Sequence, residues 1–305
     1  MHDSAPIRLA TRRSPLALWQ ANWVADQLLQ QGHRTELVLL TSRGDTDQAP
    51  IDGTRGVGFF TKRIQQALVE GEADVAVHSL KDLPTDPDER FALAAIPPRA
   101  AVGDCLISGS DHTLADLPNG SVIGTGSRRR AAQLLHMRSD LQVRPIRGNV
   151  QSRLEKLASG EFDAIILAEA GLSRLEMTQH VTERLTLEQM LPAPGQGALG
   201  IETRADNPIV TSVLASLDDR ETRACVTAER TLLSHLSGGC LAPIAALATV
   251  AGDQLTLRAL VLSTDGKTRL EHSAIGAIDQ PNELAVEVGN QLLSQGAEPL
   301  IKEAR

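Results

Sequence analysis

The most constraining feature of this chain is a recurring switch between two hydrophobic periods. Short apolar runs, too brief for a helix, stand at Ile7 to Ala10, Leu37 to Leu40, Val75 to Val77 and Phe91 to Ile96. Between them lie segments whose apolar residues recur every third or fourth position: Leu16, Trp19, Trp23, Val24 and Leu28, then Phe60, Ile64, Ala67 and Leu68. The first kind of run reads as a buried strand, the second as one face of a helix. Ser14 suits the first helix as an N-cap, Pro15 as its first residue, and the Trp pair as part of its core face. The alternation predicts a parallel sheet with helices on both faces.

Pro97 to Asp104 reads as a crossover into a second unit of the same kind. Its strands are expected at Cys105 to Ser108, Val122-Ile123, Leu141 to Ile146 and Ala164 to Ala168, with helices through Leu134 and Leu135 and through Val150, Leu154 and Leu157. Leu191 to Gly197 reads as a hinge-like return, leading to a strand at Leu199 to Glu202. Two α/β units joined by two crossings predict a clamshell with a cleft. Past Asp218 the pattern changes. A helix carrying Ala224, Val226, Leu232, Leu233 and Leu236 precedes strands at Ile244 to Val250, Leu255 to Leu262 and Arg269 to Ala274. Gly252-Asp253 and Asp265-Gly266 are hairpin signals, and a last helix runs from Asn282 to Gln295. The expected division is residues 1–98 with 198–217, residues 99–197, and a smaller α/β domain with a three-stranded antiparallel sheet over 218–305.

Composition narrows the function. Four Phe, two Trp and no Tyr leave little for stacking on nucleic-acid bases, and a formal charge of -8 disfavours nucleic acid and acidic membranes. No apolar run is long enough to span a bilayer, and the N-terminus lacks the basic and apolar regions of a signal peptide. Three cysteines without a C-x-x-C pair suit a reducing compartment and suggest neither a disulfide scaffold nor a zinc site. A cytoplasmic monomer with no metal, nucleic-acid or membrane partner is the expectation.

The chemistry gathers at strand ends. His78, Ser79, Lys81 and Asp82 follow the Val75 run at once and Pro84 closes the segment. Alone, Lys81-Asp82 would read as a solvated turn, because exposed ion pairs are common and contribute little. What else stands at strand ends shifts that reading. The 30 basic residues are 25 Arg and 5 Lys. Arg12, Arg129, Arg130, Arg147, Arg153 and Arg174 all fall at or just beyond strand ends, the edge where open α/β sheets bind ligands. Arginine's planar fork grips carboxylates with two parallel hydrogen bonds. These residues point to an anion-binding site around one acidic group. The segment Gly124-Thr-Gly-Ser-Arg-Arg-Arg130 resembles the first unit's strand-to-helix turn and lacks the P-loop pattern. Residues Thr46 to Gly58 hold three glycines and no period, and read as a mobile loop. Cys240 sits in a glycine-flanked loop open to covalent attachment, whereas Cys105 and Cys225 read as buried apolar residues.

Five segments, taken together, resemble the porphobilinogen deaminase (hydroxymethylbilane synthase) family: Ala10-Thr-Arg-Arg-Ser-Pro-Leu-Ala-Leu-Trp-Gln20, Val77-His-Ser-Leu-Lys-Asp-Leu-Pro84, Arg147-Gly-Asn-Val150, Pro192-Ala-Pro-Gly-Gln-Gly197 and Gly238-Gly-Cys-Leu-Ala-Pro243. The resemblance covers essentially the whole chain. It implies two periplasmic-binding-protein-like domains plus a third carrying a cofactor loop. It also implies the joining of four porphobilinogen molecules, with ammonia released, into hydroxymethylbilane for tetrapyrrole synthesis. A dipyrromethane cofactor, held by a thioether to Cys240, would prime the reaction. By the same match Asp82 is the catalytic carboxylate. Arg12, Ser14, Lys81, Thr125, Ser127, Arg129, Arg130, Arg147, Arg153 and Arg174 hold cofactor and substrate carboxylates, Phe60 packs near the pyrrole rings, and Gln196 lies in the hinge. The chain departs from the family pattern at Val57, Gly126, Arg128 and Leu241. A solute-binding module of the same shape without chemistry is the alternative from another class. The third domain and its loop cysteine argue against it.

Overall fold

The computed structural model describes residues 5–41, 61–86, 88–237 and 242–304. Phe60, Cys240, Leu241 and the loop read at Thr46 to Gly58 lie outside the described residues. The described residues fall into two compact units, one taking residues up to 99 together with 198–223, the other taking 100–197 together with 224–304.

The first unit is a five-stranded sheet in the order β2-β1-β3-β10-β4. Its strands are β1 (Ile7–Arg12), β2 (Thr35–Leu40), β3 (Val75–Ser79), β4 (Phe91–Ala95) and β10 (Leu199–Arg204). Helix α1 (Pro15–Gln30) covers one face, where Ala21, Val24 and Leu28 meet Leu9, Val75 and Val77. Helix α2 (Lys62–Val69) covers the other, where Ile64, Ala67 and Leu68 meet Ala10 and Ala76. Successive strand residues point to opposite faces, so the unbroken apolar run of β3 is the signature of a strand covered twice. Burying each such Leu or Val is worth about 2 kcal/mol.

Two expectations are corrected here. The sheet is mixed, because β10 runs antiparallel to both β3 and β4. The chain leaves after β4, builds the second unit, and returns from the other direction to fill the gap between them. Local periodicity carries no information about that direction. The Trp pair is split, with Trp19 37% exposed and Trp23 partly buried and packed against this core. The helix buries the stripe Ala17, Ala21, Val24 and Leu28, and position 19 falls on the side away from it.

The second unit repeats the plan with the order β7-β6-β8-β5-β9. These strands are β5 (Asp104–Ser108), β6 (Val122–Gly124), β7 (Gln142–Arg144), β8 (Ala164–Ala168) and β9 (Glu183–Arg184). Here β5, the incoming strand, is the reversed one, antiparallel to β8 and β9. Helix α3 (Arg128–Met137) covers one face, and α4 (Val150–Ala158) and α5 (Glu169–Arg174) the other. Strand β7 is shorter than the Leu141 to Ile146 run predicted. Leu141 and Ile146 instead turn into the two cores on either side of the sheet.

A third sheet, β11 (Ile244–Ala251), β12 (Gln254–Leu262) and β13 (Arg269–Ala277), is antiparallel throughout, as the hairpin signals predict. Helices α7 (Arg220–His235), α8 (Pro281–Ser294) and α9 (Ala297–Glu303) pack on one face. The other face sets Ala245, Leu247, Leu260 and Leu262 against Ala132 of α3 and Leu191. His136 Nδ1 donates to the Gly266 carbonyl at 2.8 Å, pinning the β12–β13 turn to the end of α3. Short helix α6 (Pro208–Leu214) and α9 were not foreseen from periodicity, being too short to show it.

Candidate active site

In the first unit, three chain segments meet at the carboxyl ends of β1 and β3. Arg12 ends β1, and Ser14 caps α1 by accepting from the Ala17 amide at 3.4 Å, with Pro15 in the first turn. Thr11 Oγ1 donates to the Ala17 carbonyl at 3.1 Å and fixes the turn between them. Gln20, on the buried side of α1, donates to Ser79 Oγ at 2.8 Å and ties the helix to the end of β3. There a 3-10 turn, Leu80–Asp82, is anchored by Leu80, which is fully buried and whose amide donates to the Ala198 carbonyl at 3.0 Å. Asp82 is half-buried in this turn, and Lys81 beside it is half-buried too. Arg12, Ser14, Gln20, Thr61, His78 and Asp82 line one small pocket that opens to solvent. Behind it His78 Nε2 stands 3.0 Å from Glu202 Oε2, and Gln65 donates to both oxygens of that carboxylate.

In the second unit the corresponding turn joins β6 to α3. Thr125 Oγ1 accepts from the Ser127 amide at 3.2 Å, and Ser127 caps α3 by accepting from the Arg130 amide at 3.4 Å. Arg129 and Arg130 hold a carboxylate of the chain itself, that of Asp104. Both arginines are buried, and each places an Nη2 2.7 Å from one Asp104 oxygen. Burial alone would raise the Asp104 carboxyl, but Arg130 and Arg129 overcome it and hold the group far below the usual carboxylate range. Arg129 also donates to the Leu191 carbonyl, and Arg130 to the Ile166 carbonyl at 3.1 Å.

The remaining arginines sit on loops and helix starts of the same unit. Arg147 is half-buried after Ile146. Arg153, in the first turn of α4, donates through Nε to the Gly148 carbonyl at 2.9 Å. Gly148 has φ +110, and a Cβ there would lie 2.1 Å from Ser152 Oγ, so this turn needs glycine. Arg174 Nη2 donates to the Gly197 carbonyl at 2.8 Å, and burial lowers its guanidinium to about 10, which leaves it charged near neutrality. Gln196 is buried and donates to Asp104 Oδ1 at 2.9 Å and to the Val102 carbonyl at 2.7 Å. It thus fastens the return crossing to the outgoing one. Burial pushes the Cys105 thiol up to about 12, which suits the inert role expected of it.

Sequence reasoning missed Asp104 and Gln20. Asp104 did carry a signal, being a charged residue set directly against the apolar run of β5, where a buried charge requires a partner. Gln20 carried none, since a polar residue in a helix is ordinary.

The profile described as "Porphobilinogen deaminase, dipyromethane cofactor binding domain" matches residues 7–212. The chain belongs to the porphobilinogen deaminase family. The profile of that family's C-terminal domain matches residues 223–294. Porphobilinogen deaminase of Mycolicibacterium paratuberculosis is 46% identical over 308 residues, covering 98% of each chain. That of Mycobacteroides abscessus is 45% identical over 304 residues, covering 97% of this chain and 99% of its own. Among solved structures, a periplasmic sulfonate-binding protein of Methylobacillus flagellatus covers 78% of this chain and 70% of its own, at 17% identity and a TM-score of 0.41. So loose a superposition adds nothing to the strand orders given above. No described helix is long and apolar enough to cross a membrane.

The residues fit the group that the family profile names. A dipyrromethane offers carboxylates and pyrrole N–H groups. The chain offers guanidiniums and hydroxyls suited to the first, and the Asp82 carboxylate is suited to the second. The Nε atoms of Arg129 and Arg130 are buried and have no hydrogen-bond partner among the described residues, so donor capacity is left over at the start of α3.

Proposed function

We propose that the chain joins four porphobilinogen molecules head to tail, releasing ammonia at each step and finally hydroxymethylbilane. A dipyrromethane on Cys240 primes it, and the protein works as a cytoplasmic monomer without nucleic-acid or membrane partners. The observation that carries this reading is the placement of Asp82. A carboxylate on a rigid turn at the end of the central strand shares a pocket with Arg12 and Ser14, in a chain with this family's profile along its length. Loss of ammonia from porphobilinogen leaves a positively charged, electron-poor ring. Asp82 accepts the pyrrole N–H and stabilises that charge as it develops. The bound dipyrromethane supplies the free ring carbon to which the first unit is joined.

Each added pyrrole brings an acetate and a propionate, so carboxylates accumulate. At an effective dielectric of about 20, one ion pair about 4 Å apart is worth about 4 kcal/mol before desolvation. Arg12, Ser14 and Lys81 in the first unit, and Thr125, Ser127, Arg129, Arg130, Arg147, Arg153 and Arg174 in the second, hold these groups. Phe60 belongs near the pyrrole rings by the family match, and Gln196 lies in the hinge. The working domains are residues 1–98 with 198–217, residues 99–197, and residues 218–305, the last carrying the Cys240 loop. Intact mass tests the reading directly. The protein should run heavier than its sequence by two pyrrole units, and Cys240→Ser should show the sequence mass and no turnover. A wild-type protein at its bare sequence mass that is nonetheless active would overturn the attachment.

A further inference from the structure

Asp104 lies at the first position of β5, is 1% exposed, and takes part in no step assigned above. Its two oxygens are shared by three side chains. Arg129 holds Oδ2, whereas Arg130 and Gln196 hold Oδ1 at 2.7 and 2.9 Å. Two guanidiniums against one carboxylate leave the cluster with a surplus positive charge. Each guanidinium also keeps one buried N–H, at Nε, with no partner among the described residues. A burial this complete is costly for charged groups unless geometry is tightly kept. The arrangement therefore binds the arginine pair in one orientation without quenching it.

We propose that Asp104 is a positioning residue, setting the spacing and direction of Arg129 and Arg130 so that their remaining donors receive the carboxylates of cofactor and substrate. It acts through the arginines and does not touch the pyrrole chain. The inference rests on the arginine roles given under the proposed function. Its second consequence concerns the crossing. Because Gln196 donates to the same oxygen that Arg130 holds, a shift of the return crossing is felt at the arginine pair. Three successive residues there are each held by a charged group: Gly195 by Glu229 at 2.7 Å, Gln196 by Asp104, and Gly197 by Arg174.

The test compares Asp104→Asn and Asp104→Glu with the wild-type holoenzyme. Three quantities are read: thermal midpoint, the fraction of protein carrying two pyrrole units by intact mass, and kcat and KM per loaded site. Asp104→Asn is expected to lower cofactor loading at least fivefold and to raise KM for porphobilinogen at least tenfold in the molecules that load. Asp104→Glu keeps the charge but moves it by one methylene, and should raise KM about threefold. A purely structural role would lower the midpoint and the amount of active protein while leaving KM per loaded site unchanged. That result in the folded variants overturns the proposal. Should Asp104→Asn fail to fold, Asp104→Glu decides by the same criterion. Arg130→Gln separates the two layers. If it leaves loading and KM unchanged, the arginine reading itself falls, and this inference with it. If it impairs both while the Asp104 variants do not, only the present inference falls.

Discussion

The two five-stranded sheets of this protein share one strand order and one capped turn, yet they carry opposite chemistry. In the first, β1 runs through Arg12 to the Ser14 cap of α1, and β3 ends in the turn that presents Asp82. In the second, β6 runs to the Ser127 cap of α3, whose first turn holds Arg129 and Arg130. The first unit leaves its carboxylate half-buried in a pocket. The second buries its guanidiniums and pairs them with an internal carboxylate. A shared topology therefore sets where functional groups stand, and residue identity sets their sign and exposure. A carboxylate at an open strand end can meet a developing positive charge. Two adjacent guanidiniums cannot be packed together without a counter-charge between them, and Asp104 provides it.

The contrast can be broken at several points. The largest effect is expected at Asp82. Asp82→Ala should keep its thermal midpoint within about 2 °C and lose about a hundredfold or more in kcat. Activity within tenfold of wild type would remove Asp82 from its role. In the second unit the balance should reverse toward stability. Arg130→Met leaves Asp104 buried with one partner fewer, and a loss of about 3–5 kcal/mol is expected in urea unfolding. A loss under about 1 kcal/mol would mean that Arg129 alone compensates the carboxylate.

Acid should sharpen the same distinction. Asp104 has a folded-state pKa held below its unfolded value, so its contribution is fully present above the unfolded value. It fades as pH falls below the unfolded value and is gone once pH has passed the folded one. Wild-type stability should thus fall in the acid range below about pH 4. In Asp104→Asn that part of the slope should be missing from urea midpoints taken between pH 7 and pH 3. An unchanged slope would place the acid-sensitive groups elsewhere. The smallest effects belong to the shared feature. Ser14→Ala and Ser127→Ala each remove an N-cap and should each cost about 1 kcal/mol. Markedly unequal losses would show that the two turns are not equivalent.

Much of this was readable from residue patterns. The Val75 run, with polar residues at once behind it, placed Asp82 at a strand end. Ser14-Pro15 placed the start of α1 to the residue. The Gly252 and Gly266 turns placed the hairpins of the third sheet. The reversed strands were not readable, because β5 and β10 look locally like any other buried strand. The arrangement of Arg129 and Arg130 was not readable either. Both stand where an open anion site would be expected, and the residue that occupies them was taken for the end of a crossover.

Periodicity and caps are properties of residues a few positions apart, and the chain alone determined the kind and order of its elements and the strand-end address of its carboxylate. Strand direction and charge partnership are settled between residues far apart in the chain. Asp104 meets Arg129 and Arg130 across 25 and 26 positions and Gln196 across 92. Only the folded structure could decide those contacts, because burying a charge selects its partner by proximity in space and not by sequence.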